Sequence, residues 1–130
     1  MRFLFTILIA LLLSSCNCRT DKIEKELLPG RYIFTHWTRD TIDIMENGTY
    51  QHYTVINNTK LKNSGTWKLM ETQEEILFEN FSFLTDENPP GNWFSRLRLE
   101  EEEIQLIYAC DINAYYKRIG GLDSLDINHR

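Results

Sequence analysis

The chain has 130 residues, 14 basic against 19 acidic side chains and a net charge of −5, with 42% hydrophobic residues. That length suits one domain with a real core, and the acidic balance excludes a nucleic-acid partner gripped through a basic patch. It gives no support either for side-chain attraction to an anionic lipid surface.

The first element is apolar. Met1 and Arg2 precede Phe3 to Leu13, interrupted only by Thr6. Crossing a bilayer takes roughly 20 apolar residues, so this run is too short to span one. A basic residue, a short apolar run and a small-residue site are instead the three parts of a secretory signal peptide, here residues 1–15. The run ends in Leu13-Ser14-Ser15-Cys16, which resembles the bacterial lipobox: an aliphatic residue, two small residues and a cysteine. That resemblance implies a diacylglycerol on the Cys16 thiol and cleavage before it. The mature protein is then a lipoprotein of the bacterial cell envelope, palmitate-type acyl chains holding it at the outer membrane without spanning it. Periplasmic and surface faces both stay open. One chain alone binds a membrane marginally, whereas two or three hold a small domain.

Without residues 1–15 the chain loses only Arg2 among its charges and becomes more acidic, at −6. Residues 16–29 read as a polar lipidated tether, in which Asp21 and Glu24 open at most one helical turn before Pro29-Gly30. Cys18 and Cys110 either pair in an oxidising compartment, tying tether to domain, or stay as separate thiols.

From Gly30 onward, short β-branched and aromatic runs alternate with turn signals and show no helical period. Eight strands are predicted, over 31–37, 40–46, 49–56, 65–70, 75–83, 93–99, 103–109 and 114–119. Residues 120–130 lack a pattern and read as a C-terminal tail. Eight consecutive antiparallel strands with connections this short are expected to hide their edges by closing into an up-and-down barrel over residues 30–119, an all-β fold.

Gly30-Arg31-Tyr32, Gly48-Thr49-Tyr50, Gly65-Thr66-Trp67 and Gly91-Asn92-Trp93 all read Gly-x-aromatic. A ring two positions past a glycine shares its face of the strand and can fill a barrel. With this pattern, residues 27–119 resemble the lipocalin-like domains of small bacterial lipoproteins. Lipocalins open with Gly-x-Trp capped by a basic residue of the last strand; here Tyr32 holds that position and Arg118 is the capping candidate. The resemblance implies a barrel that binds a small apolar or amphipathic ligand among Tyr32, Phe34, Trp67, Leu69 and Trp93. The competing reading is a protein-interaction or inhibitor module with a filled barrel.

Asn47-Gly48 predicts a two-residue hairpin turn. It would pair Glu46 with Thr49, Ile44 with Gln51 and Asp43 with His52. Ile42, Ile44, Gln51, Tyr53 and Val55 then form the more apolar, inward face. Thr41, Asp43, Met45, Tyr50, His52 and Thr54 lie outside, although the Gly-x-aromatic pattern wants Tyr50 inside. An outward Asp43–His52 pair is a surface contact worth about 0–1 kcal/mol, and the fold is expected to survive loss of His52. Facing inward, Asp43 and His52 would be a polar anchor for a ligand.

No nucleophile motif, metal-spaced His/Cys cluster or phosphate-cradling loop is present. Accordingly no enzymatic activity, metal site or cofactor beyond the lipid on Cys16 is expected. The partners expected are the membrane and a small ligand or an envelope protein. Asp40-Thr41-Ile42 and Asp123-Ser124-Leu125 resemble a bacterial O-glycosylation acceptor, with Ser124 the more accessible.

Overall fold

In the computed structural model, residues 18–37, 39–83 and 89–120 are described. The expectations for the signal peptide, Cys16 and Ser124 fall outside them. Eight strands follow in chain order: β1 (Gly30–Phe34), β2 (Asp40–Ile44), β3 (Thr49–Ile56), β4 (Thr59–Leu69), β5 (Glu75–Phe81), β6 (Gly91–Glu100), β7 (Glu103–Ala109) and β8 (Ala114–Gly120). Each pairs antiparallel with its neighbour, and β8 returns to β1 through Tyr32–Arg118 and Phe34–Tyr116. The result is a closed eight-stranded up-and-down barrel, as expected.

Two hairpins differ from the sequence reading. β4 begins at Thr59 rather than 65, because Asn57 and Asn58 take φ of 51° and 62° and turn the chain in two residues. Asparagine tolerates that conformation, and Ile56 then pairs directly with Thr59. The β2–β3 turn, in contrast, is one residue longer than expected. Gly48 N–H donates to Met45 C=O, Met45 N–H donates to Thr49 C=O, and of Asn47 and Gly48 only Gly48 has positive φ (85°). This is a type I turn closed by a glycine bulge, a form that accepts the same Asn-Gly pair.

That extra residue exchanges the two predicted faces of β3 and leaves those of β2 as expected. Ile44 pairs with Tyr50, Ile42 with His52 and Asp40 with Thr54. Because side chains alternate, a slip of one residue exchanges inside for outside. Tyr50, His52 and Thr54 are buried with Ile42 and Ile44, while Gln51 is exposed. Thr41 is buried within β2, which leaves it a poor glycosylation acceptor.

The core runs through the barrel and continues into the N-terminal segment, where Ile23 and Leu28 are buried. Residues 18–29 therefore lie on the domain instead of trailing from it. Asp21 N–H donates to Leu97 C=O, Ile23 N–H donates to Gln73 C=O, and Leu99 N–H donates to the Asp21 carboxylate. A 3-10 turn, Lys25–Leu27, then leads into β1. Cys18 and Cys110 are joined by a disulfide, with Cα atoms 5.8 Å apart at a sequence separation of 92.

Candidate functional site

The barrel's two ends are built differently. At the end where β1 begins, Tyr32 and Trp67 point their polar tips at backbone. Tyr32 Oη donates to Leu28 C=O (2.7 Å) and Trp67 Nε1 to Met45 C=O (2.8 Å). With Leu28 and Ile23 they plug that end. Midway, Tyr50 lies against Gly65, its register partner, and Tyr50 Oη donates to Glu79 C=O (2.8 Å). A Cβ at position 65 would sit 2.9 Å from that hydroxyl, so the ring needs the glycine. Gly91 has no such duty: a Cβ there meets none of the described residues. Arg118 stands beside Tyr32 in register, as the capping resemblance implies, and its charge opposes the burial that holds the Tyr32 phenol above its usual range.

The other end, the mouth, carries the β1–β2, β3–β4, β5–β6 and β7–β8 connections, residues 38 and 84–88 of which lie outside the described residues. Its wall is aromatic. Phe34 packs on Tyr108 (5.4 Å between centroids) and on Tyr116 (4.9 Å). Phe83 bridges Trp93 (5.6 Å) and Tyr108 (5.7 Å). Phe34, Phe83 and Trp93 are half-buried and Tyr108 is exposed, so the rings form a rim as well as a floor.

Beneath them lies a polar network. β2 opens with Asp40, and His52 sits diagonally across on β3. His52 Nε2 is 2.6 Å from Asp40 Oδ1, and His52 Nδ1 is 3.0 Å from Ser82 C=O. A carbonyl only accepts, so Nδ1 carries a proton. The short Nε2–Oδ1 separation is a hydrogen bond that couples the ring to the Asp40 carboxylate. The imidazole is stacked on Phe81 (4.6 Å, 14° between planes) and is 1% exposed. The Tyr116 hydroxyl faces the same carboxylate. Burial first, then the charge of Asp40 and its hydrogen bond, push that phenol well above its ordinary range. Thr54 Oγ1, across the β2–β3 pair from Asp40, is buried with no hydrogen-bond partner among the described residues. An orphaned buried hydroxyl is uncommon enough to need a reason.

The predicted site residues divide between the two ends. Phe34, Trp93 and His52 meet at the mouth, whereas Tyr32, Trp67 and Leu69 belong to the plugged half of the same packed core. Asp43 is not His52's partner. It faces outward on β2, where Arg31 grips it with two hydrogen bonds (2.8 and 3.0 Å) and Tyr53 Oη adds a third (3.2 Å). Asp40, Thr54, Phe83, Tyr108 and Tyr116 were missed as site residues. Placing Tyr50 inside by the Gly-x-aromatic pattern would have brought in His52, two residues on, and Asp40 opposite Thr54. Compared with protein-family models, with curated proteins and with solved structures, the chain matches none.

Proposed function

We propose that the chain is a bacterial envelope lipoprotein, acylated on Cys16 at the outer membrane, whose lipocalin-like barrel binds a small apolar or amphipathic molecule at its aromatic mouth. The observation that carries this reading is the pairing of an aromatic rim with a buried polar floor. Phe34, Phe83, Trp93 and Tyr108 offer apolar walls, and Thr54 Oγ1 beneath offers a hydrogen bond that no described residue takes up. Apolar walls with a few convergent polar groups are the usual make-up of a small-molecule site. The ligand enters the mouth and stops there, because Tyr50, Phe78 and Phe81 already fill the middle of the barrel in mutual ring contact. We assign no catalytic step to this site. The closed eight-stranded barrel and the signal-and-lipobox pattern at residues 1–16 both support the lipocalin-like lipoprotein reading.

The filled middle also favours the second reading, an interaction module that grips an envelope protein through the same rim. Native mass spectrometry of the protein purified from membranes of its own host separates the two. The expected spectrum carries a noncovalent small-molecule adduct, lost on denaturation and reduced by Trp93→Ala. A bare protein mass, or a mass raised by a second polypeptide, overturns ligand binding.

A further inference from the structure

The geometry points to a membrane-facing surface: the mouth end around Cys110, with Trp37, Phe94, Tyr108 and Ile112, lies against the bilayer. This inference rests on the acylation of Cys16 proposed above. Cys16 is two residues from Cys18, and the disulfide fixes Cys18 to Cys110 in the β7–β8 turn. Two extended residues reach at most about 7 Å, so the acyl chains leave the protein close to that turn. A leash so short does not let the barrel roll freely. The bilayer must meet the surface that surrounds the attachment point.

That surface is suited to it. Tyr108 and Ile112 flank Cys110 in sequence and are 47% and 57% exposed. Phe94 is 50% exposed on β6, two residues beyond the Arg96–Ile107 pair that joins it to β7. Trp37 is 40% exposed in the β1–β2 connection, which is held to β8 where Thr35 N–H donates to Tyr115 C=O. Every large aromatic exposed among the described residues is at this end. Leu27, Leu99 and Ile119, the other large exposed apolar residues outside the β7–β8 turn, are aliphatic and lie toward the plugged end. Tryptophan and tyrosine favour the membrane–water interface, where an apolar ring and a polar edge are both satisfied. One consequence concerns the ligand: a mouth opening onto lipid receives an amphipathic molecule directly from the bilayer.

The test uses the mature protein purified from its membrane and placed in vesicles of phosphatidylcholine brominated in the acyl chains, with tryptophan emission as the readout. Intact mass first reports whether Cys16 carries lipid. With lipid present, the expected result is a quenched component that is lost in Trp37→Phe. It does not return in Trp37→Phe/Leu27→Trp, which moves the reporter to the exposed surface of the plugged end. A Cys18→Ser/Cys110→Ser variant stays bound to the vesicles and loses much of the quenching, because its leash is longer. Quenching that survives Trp37→Phe undiminished, or that appears through Leu27→Trp, overturns the orientation while leaving acylation standing. An acylated protein with no quenching, its rim turned to water or covered by a protein, does the same. A Cys16 without lipid overturns both.

Discussion

Removing the His52 ring leaves the Asp40 carboxylate with only the Tyr116 hydroxyl beside it, deprives the Ser82 carbonyl of its imidazole donor, and strips the face of Phe81 of its stacking neighbour. The sequence alone suggests that this substitution is harmless. With the ring 1% exposed, it is not. Breaking one side of a buried charged pair costs several kcal/mol, and Asp40's side chain, 17% exposed, recovers part of that from water. His52→Ala is therefore expected to lower stability by roughly 2–4 kcal/mol, read as a shifted urea midpoint. Asp40→Asn in the same chain removes the stranded charge, so the double variant should lose less than the two single losses added together. A strictly additive result would mean that the two groups do not depend on each other.

The hairpins hold most of what the sequence concealed. Asn47-Gly48 correctly marks a turn, but two turn types accept that pair and they differ by one residue, which is the whole difference between His52 inside and outside. Hydrophobic pattern favours the wrong face, because β3 carries Tyr50 and Tyr53 on opposite faces and an apolar Val55 outside. The eight strands and their closure were legible because alternation and turn residues recur regularly; the site was not, because it depends on register. The β6–β7 turn offers a test of how much turn chemistry contributes. Glu101 and Glu102 take φ of 48° and 69°, and Glu100 pairs with Glu103 across the turn. Branch-free or not, a glutamate in the left-handed region is strained, and two adjacent acids add repulsion. Glu101→Asn with Glu102→Gly should stabilise the barrel by about 1 kcal/mol, raising its melting temperature by several degrees. An unchanged or lower melting temperature would show that this turn does not govern the hairpin's stability.

Across the molecule, one device recurs: a phenol set into the barrel wall with its hydroxyl desolvated or bonded to the chain. Tyr32, Tyr50 and Tyr116 stand on β1, β3 and β8 and are almost fully buried, and burial is the main reason each resists ionisation. On the outer wall, burial and the Asp43 carboxylate push Tyr53 up to about 12. The unfolded chain ionises its tyrosines near pH 10, so above that the native state holds protons that the unfolded state has released. Stability from these groups is thus complete below about pH 10 and falls as pH rises toward the folded values. For the three interior phenols the loss approaches about 1.4 kcal/mol per phenol per pH unit, or roughly 4 in total. Against the usual 5–15 kcal/mol of a domain, that predicts unfolding within a few pH units above 10. Because the phenols are spread round one closed sheet, they should ionise together. The phenolate absorption band of these four of the six tyrosines should rise in one step, at the pH where β-sheet circular dichroism is lost. A gradual rise completed while the barrel signal persists would mean that water reaches these hydroxyls in the folded protein, and that the barrel is far less filled than its ring contacts indicate.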